Sequence, residues 1–365
     1  ENQMKLFPAL EQRYLQEHQT AGEAQRLAQE IAFAPVVFQV SRLMVKHGVF
    51  ALLNDHPDGL TQDEIVEKTG LGAYAAQVLL EASLSIGTVH TRDHRFFLSK
   101  AGWFLLKDKM TRVNMDFVQE ICYRGLFDLE KTLQTGKPEG LKVFGGWPTI
   151  YEGLSSLPHE AQTAWFGFDH YYSDNAFAEA LQTVFASPVK KLLDVGGNTG
   201  RWALQCVAFN PEVEVTIMDL PQQIGLMREA VRGQTGAQRI CGHPADLLDP
   251  NVPFPTGFDA IWMSQFLDCF SEAEATSILA RAARSMDAHT RLYIMEPFWD
   301  RQRYETAAYC LTMTSLYFTA MANGNSKIYH SEDMIRCARN AGLQIEQISD
   351  GLGLGHSILH CVKAA

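Results

Sequence analysis

Three aspartates, each placed after a short apolar run, are the residues of this 365-residue chain best placed to do chemistry. The first is Asp194, in Leu192-Leu-Asp-Val-Gly-Gly-Asn-Thr-Gly200, where an apolar strand runs into a glycine-rich turn and then a helix from Arg201. Gly196, Gly197 and Gly200 let the backbone turn sharply and approach a ligand with no Cβ between them. A dinucleotide pyrophosphate wants amides and a helix N-terminus there, not a carboxylate, so Asp194 suits a ligand bearing an ammonium group. The second, Asp219, closes the next apolar run in Met218-Asp-Leu220, where an acidic residue takes both hydroxyls of a ribose. The third, Asp246, lies in Ala245-Asp-Leu247, within reach of an adenine edge. One aspartate after a strand is usually a cap or a loop residue. Three in register, at the ends of successive strands, predict a nucleoside-type cofactor, because ligands of such sheets bind at that edge.

Those positions require a particular scaffold. Lys191–Val195, Val213–Met218, Arg239–Gly242, Ala260–Met263 and Arg291–Met295 are β-type runs separated by helix-length segments, the rhythm of a doubly wound parallel sheet. Two further runs, Gln344–Ser349 and Ser357–Val362, are joined by a glycine-rich turn and predict an antiparallel pair at the end of the sheet. Ser271 and Glu274 form a capping box that opens the helix after the fourth strand.

The N-terminal third has a different grammar. Residues 24–53 read as helix, Thr61 and Glu64 form another capping box, and a further helix spans about 73–86. A hairpin over Thr88–Thr91 and Phe96–Leu98 follows, and Ser99 caps the next helix; this is the winged-helix order. A helix that reads the major groove needs donors and positive charge, and the segment from Ala73 to Ser85 holds no lysine or arginine and one glutamate. The module is therefore read as an interaction or dimerisation element, with a transcriptional regulator as the disfavoured alternative. Residues 110–186 are mostly helical and rich in aromatic side chains. The expected division is 1–110, 111–186 and 187–365.

Composition narrows the partners. The chain is 46% hydrophobic and 20% charged with a net charge of −11, which attracts neither nucleic acid nor anionic membranes. Seven scattered cysteines with no CxxC pair predict reduced thiols and no structural metal. No apolar stretch is long enough to span a bilayer and no leader pattern opens the chain, so the expectation is a cytoplasmic protein.

From about residue 24 onward the chain resembles the small-molecule O-methyltransferases of the caffeate and hydroxyneurosporene type. The likeness rests on Lys46-His-Gly-Val-Phe50, Ser85-Ile-Gly87, the Asp194–Gly200 loop, Met218-Asp-Leu-Pro221, and Pro253 ahead of Phe258-Asp259. It implies a Rossmann-like class I methyltransferase domain with a seven-stranded, mostly parallel sheet, preceded by an all-helical winged-helix domain that forms a homodimer. It implies S-adenosylmethionine as cofactor, contacted by Asp194, Gly196, Gly197, Asp219, Leu220, Asp246 and Leu247, with Ser264 a weaker contact. Phe166, His170, Tyr171 and Tyr172 resemble the helix that closes over the sulfonium and the acceptor. Met313, Phe318, Met321 and Asn323 fall where relatives line the acceptor site. For the aromatic and apolar members, a core role is the competing reading.

One departure bears on catalysis. The family's base is a histidine in a Leu-His-Asp-Trp run, and here the run is Leu267-Asp-Cys-Phe270, with Asp268 in the histidine's place. Glu296 matches the carboxylate that orients that histidine, whereas Ile328 stands where a later glutamate is usual. Asp268 and Glu296 are therefore the expected catalytic pair. A cofactor-binding homologue without the usual transfer remains the alternative.

Overall fold

The computed structural model describes residues 4–364, which divide into two compact units. One comprises residues 17–120 with 163–168; the other comprises the chain up to residue 16, residues 121–162 and residues 169 onward.

In the first unit the stretch expected as one helix over 24–53 is three: Ala21–Ala32, Ala34–Lys46 and Val49–Asp55. Pro35 near the start of the second cannot donate a helical amide, so the chain breaks at Phe33. Gly48, at φ 74°, makes the second break in a left-handed conformation. The apolar faces then meet, with Met44, Val49, Phe50 and Leu53 packing on Ile65, Leu80 and Val89. The expected capping box of Thr61 with Glu64 forms, and another joins Thr20 to Glu23. The hairpin is β1 (Val89–Arg92) against β2 (Arg95–Leu98), antiparallel. Asp93 and His94 both adopt positive φ, as a two-residue turn matching strand twist requires. Among the described residues no single helix is long and apolar enough to cross a membrane.

The second unit is built on a seven-stranded sheet. Its strands are β3 (Lys191–Val195), β4 (Glu214–Asp219), β5 (Ile240–Pro244), β6 (Ala260–Ser264), β7 (Arg291–Glu296), β8 (Leu343–Leu352) and β9 (His356–Lys363). Their order is β5-β4-β3-β6-β7-β9-β8, parallel except for β9, which runs antiparallel to both β7 and β8. Strand order reverses between β3 and β6, and the crevice at such a switch point is where open sheets bind ligands. Both faces are covered, so the central strands read as nearly continuous apolar runs. Leu193 and Val195 face one core with Met263 and Ile278. Leu192 faces the other with Val215, Ile217 and Trp262. There Trp262 stacks on Trp202 of the Arg201–Phe209 helix at 4.3 Å between ring centroids. The first described residues belong to this unit too: the Phe7 amide donates to the Asp300 carbonyl, and Leu10 is fully buried.

Candidate active site

Parallel register brings the acidic residues to one edge. Val195 pairs with Met218 and Asp219 with Pro244, while Ser264 and Glu296 end β6 and β7 on the same side. Beyond β3 the chain turns at Gly196 (φ 73°), whose amide donates to the Met218 carbonyl. A Cβ there would meet the Phe266 ring at 2.3 Å, so only glycine lets the loop lie against that ring. Asn198 takes φ 51°, which asparagine tolerates, and its amide donates to Asp219 Oδ2 at 2.9 Å. The Leu220 amide donates to Asp219 Oδ1 at 2.7 Å. The carboxylate is thereby oriented, with a lone pair on each oxygen still open for a pair of ribose hydroxyls.

Asp194 is 3% exposed, and its Oδ2 receives no hydrogen bond. Burial, reinforced by repulsion from Asp219, pushes its pKa up to about 8. Asp219 is itself raised by burial, offset by its two amide donors. An orphaned, buried carboxyl oxygen under a glycine turn fits a ligand that brings a cation to it. The residues present thus fit a nucleoside carrying an ammonium group.

Asp246 is exposed, and its Oδ1 accepts the Leu248 amide in a local turn. Leu247 turns its side chain into the core, which leaves its backbone for any ligand. The loop bearing both is braced by Arg281, whose guanidinium donates to the carbonyls of Leu247, Asp249 and Val252.

On the other side of the switch point, Leu267–Cys269 forms a single helical turn that buries Asp268 to 4% exposure. Four contacts hold this turn. Glu296 Oε1 accepts the amides of Phe266 (3.1 Å) and Leu267 (3.0 Å). Asn323 donates its side-chain amide to the Cys269 carbonyl, and the Tyr329 hydroxyl donates to the Phe270 carbonyl at 2.6 Å. Asp268 and Glu296 line a narrow recess with Pro297, Ile328 and Tyr329. Burial pushes the Asp268 carboxyl up to about 7 and holds Glu296 well above the carboxylate range, with Asp268 repelling Glu296. Two such carboxyls retain a proton between them near neutral pH.

Residues 110–344 match the family described as the O-methyltransferase domain, and residues 25–96 match the Dimerisation2-like domain. The chain belongs to the S-adenosylmethionine-dependent O-methyltransferase family. This methyltransferase is 26% identical over 303 residues to L-tyrosine C(3)-methyltransferase of Streptomyces lavendulae, covering 82% of this chain and 81% of that one. It is 26% identical over 290 residues to demethylspheroidene O-methyltransferase of Cereibacter sphaeroides, covering 78% of this chain and 73% of that one. Its fold matches that of the S-adenosylmethionine-dependent methyltransferase SibL in its apo form, with TM-score 0.70, 20% identity and coverage of 92% and 98%.

The remaining expected site residues of the methyltransferase are not all placed alike. Met321 is fully buried, and its sulfur packs so close to Gly125 that a Cβ there would lie 2.1 Å away; it fills the core rather than a pocket. Met313 is 51% exposed on the Glu305–Tyr317 helix, and Phe318 is buried just beyond that helix. Asn323 is a brace for the Asp268 turn. His170 and Tyr172 lie on the last turn of the His159–Ser173 helix, and Phe166 lies on its stretch within the smaller unit, beside Trp165. Ser264 is half-buried at the end of β6.

Three contributors have no sequence signal of their own. Asp169 precedes His170 on that last turn and is close enough to Asp268 to raise its pKa. Gln265 holds φ 44°, a strained conformation for a non-glycine residue, while its Oε1 accepts from His356 Nε2 at 2.8 Å. Tyr329 lies 61 positions from the turn it holds, measured from Asp268. Among the described residues no group of three metal-ligating side chains converges.

Proposed function

We propose that the chain transfers a methyl group from S-adenosylmethionine to the hydroxyl of a small aromatic or polyketide-like acceptor, working as a cytoplasmic homodimer. The supporting observation is the orphaned Oδ2 of Asp194 under the Gly196–Gly197 turn, beside Asp219, in a chain of this family.

Asp194 pairs with the cofactor's ammonium group, Asp219 with its ribose hydroxyls, and the Leu220 and Asp246–Leu247 segments with its base. Gly196 and Gly197 give the backbone its close approach. Bound there, S-adenosylmethionine supplies an electrophilic methyl group. Methyl transfer is a direct displacement, so positioning contributes most, up to about 7–11 kcal/mol in ideal cases. Asp268 takes the acceptor's hydroxyl proton. Such a base contributes about 10²–10⁴-fold. Glu296 fixes the turn that presents Asp268 and shares its proton.

Carbon is the second candidate for the accepting atom, favoured by the relative named for methylation at C(3) of L-tyrosine. The phenolate that Asp268 would generate carries charge on its ortho carbons as well as on oxygen, so one base serves both outcomes. Incubation with methyl-deuterated cofactor and a panel of phenols, catechols and naphthols tests the proposal by mass spectrometry and NMR. The expected product carries one labelled methyl, as methoxy or as aryl-methyl. S-adenosylhomocysteine binding without labelled product from any acceptor would leave a cofactor-binding homologue instead.

A further inference from the structure

Gln265 stands in a backbone conformation that its residue type avoids. It follows directly on β6 with φ 44°, in the left-handed region that favours glycine. A glutamine persists there only where its surroundings fix it, and such strain collects at functional sites. Two hydrogen bonds fix this one. Its amide donates to the Met295 carbonyl at 2.9 Å, and its side-chain Oε1 accepts from His356 Nε2 at 2.8 Å.

His356 is firmly held in turn. Because β9 runs antiparallel to β7, its first residues reach the edge where the parallel strands end, and Ser357 pairs with Glu296. Gln302 braces the chain just before it, donating to the carbonyls of Phe298 and Gly355. A Cβ on Gly355 would collide with Oε1 of the same glutamine. The His356 ring is 1% exposed, and burial pushes its pKa down to about 4, so at pH 7 it carries one N–H. That proton goes to Gln265, and Nδ1 has no hydrogen-bond partner. Burying an unpaired ring nitrogen is unfavourable, and the bond to Gln265 is what the arrangement gains.

The residues that follow show what the kink at 265 sets. The amides of Phe266 and Leu267 donate to Glu296 Oε1, which starts the turn bearing Asp268. The Phe266 ring occupies the space that a Cβ on Gly196 would need, so it lies against the glycine turn. One backbone torsion therefore fixes the base turn and its seat on the cofactor loop together. We propose that His356 and Gln265 form a positioning pair, which holds the backbone at 265 left-handed and so sets the Asp268 turn against the Gly196 turn. Neither is a catalytic residue; each acts through the backbone they hold. The kinetic consequence rests on the methyl-transfer reading above. In-line displacement tolerates little misplacement, so loss of the pair lowers kcat more than it raises KM.

The test separates anchor from strain. Gln265→Ala removes the anchor and keeps the strain, whereas Gln265→Gly removes both, because glycine adopts positive φ freely. Hydrogen exchange on the full chain loaded with S-adenosylhomocysteine, resolved to single amides by mass spectrometry, reads Phe266 and Leu267 directly. Both amides should exchange at least about tenfold faster in Gln265→Ala and in His356→Leu, and within about threefold of the wild type in Gln265→Gly. Adding His356→Leu to Gln265→Gly should change them no further, since the two residues act through one bond. The β3 amides check the fold. With the phenol, catechol or naphthol methylated fastest, Gln265→Ala should lower kcat at least about tenfold with KM within about threefold, and Gln265→Gly should lose less. Equal effects of Gln265→Ala and Gln265→Gly, or a His356→Leu effect that persists beside Gln265→Gly, overturn the inference. Should His356→Leu not fold, the comparison of the two Gln265 variants decides alone. Faster exchange with kcat unchanged also overturns it, leaving the bond a structural one. Failure of every hydroxyarene to accept a methyl group removes the transfer reading, while the exchange rates still decide the pair.

Discussion

A Cβ placed on Gly197 would lie 2.5 Å from Oδ2 of Asp194 and 2.8 Å from its Cγ. The glycine turn is therefore shaped around that carboxyl group, whose Oδ2 receives no hydrogen bond. Gly197→Ala should force Asp194 out of position and weaken S-adenosylhomocysteine at least about tenfold, about 1.4 kcal/mol. Calorimetry on a variant that keeps its cooperative melt checks this. Unchanged affinity would mean that the ligand does not use Asp194.

The same carboxyl sets a pH dependence. Asp194 is raised to about 8 in the free protein by burial and by Asp219, so at pH 6 it is protonated. An ammonium partner favours the charged form, and binding below pH 8 must expel that proton. S-adenosylhomocysteine affinity should rise from pH 6 toward pH 8, with proton release in the lower range, and level off above it. Asp194→Asn should flatten this limb. A wild-type affinity that falls over the same range would reverse the sign and remove the assignment.

Asp268 makes a kinetic prediction. A base must be ionised to act, and Asp268 is raised to about 7 by burial, so the rate on a neutral phenol should climb with pH through about 7. Asp268→Asn should lower kcat by at least about a hundredfold and abolish that limb, with cofactor affinity intact. A loss of a few-fold, flat across pH, would leave positioning as the mechanism. Asp268→His tests whether the scaffold still supports the family's usual base.

Assembly is read from the first helices. Ile31, Phe33 and Val36 are 67%, 60% and 56% exposed, too apolar together for a surface left in water. A two-fold dimer burying more than about 2,000 Å² through these helices is expected. Light scattering at micromolar concentration should report a dimer, and Ile31→Glu with Phe33→Glu should shift it to monomer. A monomeric wild type would contradict it.

The strands were legible because each is a short apolar run bounded by turn residues, and their observed limits differ from the pattern by at most three residues. The Asp194 and Asp219 positions were legible for the same reason: parallel register carries strand ends to one edge. What sequence spacing does not carry is direction. Glu296 was expected as the partner of Asp268, matching the carboxylate that orients the family's histidine; in the structure its Oε1 accepts the backbone amides of Phe266 and Leu267. Met321 falls near the acceptor positions in sequence but points into the core against Gly125. Asp169 escaped notice because one carboxyl in an aromatic helix has no pattern until folding sets it near Asp268. The break at Phe33 was legible in Pro35 but is masked by the apolar periodicity that runs through it.

The discontinuity of the larger unit has a consequence for synthesis. Residues 17–120 are nearly a complete folding unit as they leave the ribosome, needing only the short stretch 163–168 to finish. The sheet cannot close in the same way, because β9, the last strand made, is inserted between β7 and β8. Phe7 and Leu10, made long before Asp300, must wait for it and its surroundings before they find their place. Pairings of such long sequence separation form slowly and leave strand edges open meanwhile. The nascent chain should therefore present a folded amino-terminal module ahead of an unfinished sheet, and loss of the final dozen residues should yield aggregation rather than a smaller enzyme.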